Sequence, residues 1–396
     1  MSNKFSQFFL TAHAAGCKLV VTTNFMANYI SEVNITRVLR SIYLNHGLSR
    51  VDISKRLGLN KSTVSKIVAY LEEIGIVEPE MVGDAGPTGG RRPIHLRIKP
   101  GWGCIMGVEI QTEAFTVVGI DLHGEVFFSH TEPLDLRAHG LVESFVRIVE
   151  RFVPSLEATG MPLVGIGVAL PGFVDPDRGI LYASRPLELY EAVEFVGAAR
   201  QRIELSVPIL VDNDANCGCW GELAFKHSDR PANFVFVLGE LRKHTVEMDD
   251  YRIMALGLGL VLNGQVHHGQ GFSAGEFRSI NYNPGTVNQF AVSDDEARRF
   301  LQDPAVDSII VDQLARHIAF LVNVLNLSKV VIGGPMEALA DELTASIHNH
   351  IDMNWAYPDP VHCQIAVSRL GEQAAAFGAA GMFMEHLIEV PRMDSV

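Results

Sequence analysis

LSRVDISKRLGLNKSTVSKIVAYLEEIGIVE, residues 48–78, is the stretch on which the fold turns. Ser49 can cap a short helix whose Val51, Ile53 and Leu57 face inward, and Gly58 ends it in a turn. Asn60 can cap a further helix in which Val64, Ile67, Val68 and Leu71 recur at helical spacing. Upstream, Ile35, Val38, Leu39 and Ile42 repeat that stripe on a helix beginning at Asn34 and closed by Gly47. Three short helices, with about three residues between the second and third, predict a helix-turn-helix.

The third helix leaves Lys61, Ser62, Thr63, Ser65 and Lys66 outside its apolar stripe, with no acid before Glu72 and Glu73. Recognition helices enter the major groove by their N-terminal residues, where short polar side chains reach base edges and lysines neutralise phosphates. The competing reading is a plain three-helix bundle with a solvated face. The next segment weighs against it. Residues 78–100 read as strand, tight turn and strand, with GDAGPTGGRRP at the tip. Gly90, Arg91 and Arg92 then form a basic wing suited to phosphates or a minor groove. The expectation is a winged helix-turn-helix over residues 26–100, contacting double-stranded DNA through Ser49, Lys61, Ser62, Thr63, Ser65, Lys66, Gly90, Arg91 and Arg92.

Charge agrees once it is divided. The 396 residues carry 32 Lys/Arg and 46 Asp/Glu, a net charge of −14. Residues 1–100 hold 13 basic and 7 acidic side chains, net +6, which leaves −20 for the rest. A basic head on an acidic body is the asymmetry of a nucleic-acid reader joined to something else. A hydrophobic fraction of 47% builds sizeable cores and excludes global disorder. No uncharged apolar run reaches the roughly 18 residues that a membrane helix needs. Residues 1–25 are a poor signal peptide, since His13, Gly16 and Lys18 break their apolar run. They read either as an extension or as sequence ahead of a natural start at Met26. Five scattered cysteines fit a reducing cytoplasm, and a cytoplasmic location is expected.

From Trp102 the texture becomes α/β. CIMGVEI, FTVVGIDLHGEVFF, LVGIGVALPGFV, VPILVDNDAN and KVVIGGP read as strands, with amphipathic helices at residues 141–152 and 311–327. The order SEVNITRVLR, the helix-turn-helix, GGRRP, GIGVALPGFVD, VDNDAN, GLVLNGQVHHGQGFSAGE, VVIGGP and GEQAAAFGAAGM resembles the ROK family from Asn34 to Leu387. That family groups sugar-responsive repressors with sugar kinases on a two-lobed, actin-like fold. The attached winged helix resembles its repressor branch, exemplified by xylose and N-acetylglucosamine repressors.

The resemblance implies a body over residues 101–396. Its first lobe takes residues 101–215 plus a closing helix at about 371–390, and its second takes residues 216–370. It implies an interlobe cleft where Gly172, Asn213, Asp214 and Glu276 bind a sugar or sugar phosphate, Asp214 standing where the kinases keep their catalytic base. Asn213 and Asp214 also read as a helix N-cap. Departures decide between enzyme and sensor. The kinases' first glycine-rich phosphate loop is Glu109-Ile110-Gln111-Thr112 here, and the second reads Ala255-Leu256-Gly257-Leu258-Gly259-Leu260. Phosphoryl transfer depends on positioning and charge stabilisation, so no catalysis is expected.

The family's zinc-binding cysteines are missing from residues 277–300, and its histidine position is Ser279. Cys217 and Cys219 lack a second ligand pair, and His267 and His268 would point to opposite faces of a strand. No metal or cofactor is expected. The segment RKHTVEMDDYR, residues 242–252, reads as an exposed hairpin or loop. The functional expectation is a repressor of carbohydrate-utilisation genes that binds a palindromic operator as a homodimer or homotetramer and answers to a sugar. The alternatives are a ROK sugar kinase, or a regulator whose cleft binds no sugar.

Overall fold

The computed structural model describes residues 25–45, 47–82, 94–225, 230–246 and 249–389. In the head, helix α1 (Phe25–Leu44) starts nine residues before the periodicity suggested and stops short of Gly47. Strand β1 (Leu48–Ser49) leads into α2 (Arg50–Leu57), α3 (Lys61–Glu73), β2 (Val77–Val82) and β3 (Ile94–Ile98). The three strands pair in the order β1-β3-β2. This is a winged helix-turn-helix.

The capping chemistry is local. The Ser49 hydroxyl and the Asp52 carboxylate cap each other's backbone N–H groups at the start of α2. Gly58, at φ 65°, ends α2, and the Ser54 hydroxyl donates to the Leu59 carbonyl at 2.7 Å, fixing the turn. Asn60 is the N-cap of α3 by position only, for its side chain makes no capping bond. Val51 also departs from expectation. It is 42% exposed, because α2 turns Ile53 and Ser54 into the core instead.

The body contains two five-stranded sheets. The first joins β4 (Cys104–Ile110), β5 (Ala114–Asp121), β6 (Val126–Pro133), β7 (Leu163–Leu170) and, past the hairpin β8 (Phe173–Asp175) and β9 (Ile180–Ala183), β10 (Ile209–Asn213). Helix α4 (Leu141–Glu157) follows β6, and helix α5 (Asp214–Ala224) continues directly from β10. The second sheet joins β11 (Phe234–Val246), β12 (Asp249–Leu262), β13 (Gln265–Val266), β14 (Lys329–Gly333) and β15 (Gln364–Val367). Its helices are α6 (Pro304–Leu325) and α7 (Ala340–Met353). Helix α8 (Ala374–Leu387) closes the body.

Both sheets have one plan. In the first the order is β10-β7-β4-β5-β6, and in the second it is β15-β14-β11-β12-β13. Each sets a leading strand in the middle, an antiparallel meander on one side and two parallel strands on the other. A doubled lobe of this kind is the actin-like, sugar-kinase-like architecture. β4 and β7 are buried along their whole length, which explains their unbroken apolar sequences. β6, at the edge, alternates toward solvent.

Helix α8 holds this together through small side chains. A Cβ on Gly107 or Gly167 would meet the Ala376 or Ala379 carbonyl at 2.0 or 1.9 Å, so α8 lies on the bare backbone of β4 and β7. On its other side, a Cβ on Gly378 would fall 1.7 Å from the Cys217 carbonyl of α5. Alanine fits at none of these three positions without backbone movement.

The head is joined to the body by a shared core. Val38, Leu39, Ile42, Val68 and Leu71 of the head cluster with Ile105, Val118, Phe383, Leu387 and Ile388 of the body. Each fully buried aliphatic side chain there contributes about 1.5–3 kcal/mol. The Tyr43 hydroxyl of α1 donates to the Ala224 carbonyl at the end of α5 at 2.9 Å, in a buried contact. Arg40 reaches the Ile388 carbonyl, and the Trp102 indole N–H donates to the Ile74 carbonyl at 2.9 Å.

Candidate functional site

On the head, α3 buries Val64, Ile67, Val68 and Leu71. That orientation leaves Lys61, Ser62, Ser65 and Lys66 exposed and Thr63 half-buried along its first turns. Glu72, the acid that could oppose a phosphate, is held by Arg50 at 2.7 and 2.8 Å. Ser49 behaves differently from the other expected contact residues. It is 5% exposed and its hydroxyl donates to Asp52 at 2.6 Å, so it positions α2 instead of facing solvent. Gly90, Arg91 and Arg92 lie outside the described residues.

In the body, β10 runs into α5 without a loop, which sets Asp212, Asn213 and Asp214 at the junction of the lobes. Their tasks differ. Asn213 is the N-cap of α5, accepting from Ala215 N and Asn216 N, while its Nδ2 donates to the Gly172 carbonyl at 3.1 Å. Both ends of its amide are therefore engaged. Gly172 sits at φ 119°, and a Cβ there would come within 2.3 Å of the Ala183 carbonyl, so only glycine lets the β7–β8 turn approach Asn213 this closely.

Asp212 is fully buried and multiply bonded. The Trp220 indole N–H donates to it at 2.8 Å, Asn216 Nδ2 at 3.1 Å, and His268 Nε2 lies 2.9 Å away. Burial works against a charged imidazole, but Asp212's hydrogen bond and charge hold the His268 pKa above its usual value. His268 lies just beyond β13, in no strand. Alternation of neighbouring side chains is therefore the wrong rule for it, and the carboxylate of Asp212 is its partner.

Asp214 is the central carboxylate. One oxygen accepts from Ala215 N at 2.8 Å, and the other lies 3.9 Å from Arg242 Nη2. Burial, then the neighbouring Glu240 charge, pushes its pKa up to about 8, against the pull of Arg242. Arg242 itself binds Glu240 at 2.7 Å. Glu276 is exposed at the cleft mouth, fixed by the Gly257–Glu276 bridge, and its charge acts on both Asp214 and Arg242. Gln111 connects a further acid: its Nε2 donates to Glu109 at 2.8 Å and to Glu240 at 3.3 Å.

The segment read as an exposed hairpin or loop is a hairpin, and what the reading did not give is the inward placement of Arg242. Residues 242–246 and 249–252 extend β11 and β12 in one antiparallel ladder that pairs Arg242 with Ile253 and Val246 with Asp249. Pairing at this register carries Arg242 into the cleft, where it is 28% exposed. Spacing could not show the Asp214 contact, since Asp214 lies on another element of the chain. Glu240 and Arg242 do sit two apart in a strand, the separation that puts side chains on one face, and that was the available signal.

The stretch after Glu276 is tied by amides. Gln289 bonds Leu256 N, the Leu256 carbonyl and the Phe277 carbonyl, and Asn288 bonds the Val292 carbonyl and Asp294. Ser279 is buried, its hydroxyl accepting from Asn281 N. Cys217 and Cys219 are buried thiols. Among the described residues no three His, Cys, Asp or Glu side chains form a metal-binding group.

Comparison with known proteins agrees with this architecture. The ROK family model matches residues 105–288, and a MarR family model matches residues 36–86. The chain is similar to a xylose repressor of Caldicellulosiruptor bescii, 22% identical over 91% of this chain and 98% of that protein. It is also similar to the DNA-binding transcriptional dual regulator NagC of Escherichia coli K12, 23% identical over 91% of this chain and 96% of the relative. A crystal structure of a ROK family transcriptional regulator, a homologue of the E. coli MLC protein, superposes with a TM-score of 0.69 at 21% identity, covering 91% and 98% of the two chains.

Proposed function

We propose that this chain, a ROK-family domain carried behind a MarR-type helix-turn-helix, is a DNA-binding transcriptional regulator that represses carbohydrate-utilisation genes and responds to a sugar in its interlobe cleft. The observation that carries the reading is α3, whose exposed N-terminal face is made of lysines and hydroxyls while its nearby acid Glu72 is engaged by Arg50. The relatives named as xylose repressor and NagC align with 91% of this chain. A homo-oligomer reading a palindromic site, through Lys61, Ser62, Thr63, Ser65, Lys66 and the Gly90-Arg91-Arg92 wing, belongs to the same proposal, as does a cytoplasmic location.

Signal transfer has a physical route. Helix α5 begins at Asp214 in the cleft and ends at Ala224, whose carbonyl accepts the Tyr43 hydroxyl of the head. A ligand that binds one placement of this helix better than another shifts the head by the same preference. Phosphoryl transfer is not part of the proposal. The position of the kinases' first phosphate loop begins here with Glu109, a carboxyl bonded to Gln111, where ATP phosphates would need a cradle of N–H groups.

Binding of the full chain to an operator library, followed by fluorescence anisotropy on the selected site, tests the reading. The Lys61→Ala, Lys66→Ala double variant should lose affinity for all sequences, and the slope of log affinity against log salt should fall by about 2. Unchanged affinity and slope would remove α3 from the interface.

A further inference from the structure

The cleft gathers more carboxyl groups than its one guanidinium can pair. Asp214, Glu240 and Glu276 surround Arg242, which bonds Glu240 at 2.7 Å and faces Asp214 at 3.9 Å. Behind them Glu109 is 2% exposed. One of its oxygens accepts from Gln111, and the other, Oε2, has no hydrogen-bond partner. Burial first, then the Glu240 charge, with smaller pushes from Asp214 and Glu372, holds its pKa well above the usual range. Four carboxyl groups thus meet one guanidinium. A buried carboxyl with an orphaned oxygen signals a missing hydrogen-bond partner at this end of the cleft.

The geometry points to an unphosphorylated sugar bearing a primary ammonium group as the effector, with the ammonium beside Glu240 and Asp214 and the hydroxyls toward Glu276. This inference rests on the reading of the cleft as an effector site and narrows the ligand within it. An ammonium supplies donors and a positive charge to a cluster short of both. Glu240 and Asp214 keep some exposed surface and can touch it. A phosphate ester would bring about −1.5 to −2 charges against the same carboxylates, with Arg242 already committed to Glu240 and Asp214. The cleft therefore rejects phosphorylated sugars.

Isothermal titration calorimetry of the full chain with glucose, glucosamine and glucose 6-phosphate, repeated in the galactose series, tests this. Glucosamine or galactosamine should bind at least tenfold more tightly than its neutral parent, and the phosphate ester should not compete. Glu240→Gln should shrink the amine preference severalfold, and Arg242→Gln should enlarge it. Opposite signs from two neighbours are not what a loss of folding produces, and a cooperative melt checks each variant. Equal affinity for the amine and its parent, or tighter binding of the phosphate ester, overturns the inference and leaves the sugar site standing. Binding by none of these sugars removes the sugar-site reading and the inference with it.

Discussion

Asp214 and its neighbour Asn213 follow one another in sequence and have unlike surroundings. Asn213 spends its amide on the α5 cap and the Gly172 carbonyl, whereas Asp214 keeps an oxygen toward Arg242. With a folded pKa of about 8 against an ordinary 3.8, Asp214 retains a proton that the unfolded chain has lost between those values. The folded state binds more protons there, so stability falls as pH rises from about 4 to about 8. His268, whose pKa is raised, adds a loss of the same sign as pH climbs past its ordinary value of 6.5. Asp214→Asn removes one of these contributions. Its melting temperature relative to the parent should be several degrees more favourable at pH 8.5 than at pH 5, measured by scanning calorimetry. An equal difference at both values counts against a raised Asp214. The motif VDNDAN was legible as a site or a cap, but its ion-pair partner was not. The contacts to Arg242 and from His268 to Asp212, 56 residues apart, exist only once strands are paired.

Elements were easier to read than their ends. Helix α6 begins seven residues before its apolar periodicity suggested, because Asp303 caps it and Pro304 takes its first turn. β4 and β7 were plain as apolar runs, yet nothing local told that their glycines receive α8. The identical strand order of the two sheets was invisible for the same reason, since it lives in pairing and not in spacing. Helix α5 is the element with the largest expected consequence. Tyr43→Phe removes the hydroxyl that meets its last carbonyl and costs about 1–3 kcal/mol by leaving a buried acceptor short of its donor. Operator affinity without effector should change little, while the effector-induced change shrinks by at least about threefold, as seen in anisotropy titrations with and without ligand. A full response in the variant would place the route elsewhere.

For the whole molecule, net charge was informative only after division at the end of the head. A +6 head and a −20 body confine polyanion contact to one end, since the body repels DNA. Sequence suggested two units meeting near Gly101, and connectivity does change there. Packing does not. Tyr43, Arg40 and Trp102 all cross that line, and the cluster around Val38 and Leu39 includes Phe383 and Ile388. Scanning calorimetry should accordingly show head and body melting in a single cooperative transition, and two resolved peaks would contradict this coupling.

That shared core also bears on how such proteins can be recombined. Swapping the head for one of another specificity by cutting near Gly101 would carry Val38, Leu39, Ile42 and Tyr43 away from the α5 and α8 surfaces shaped to receive them. A functional hybrid needs the receiving faces of both helices to travel with the head, although they lie more than a hundred residues from it in sequence. Specificity for DNA is therefore portable only together with the body surfaces that share the head's core, the ends of α5 and α8 among them.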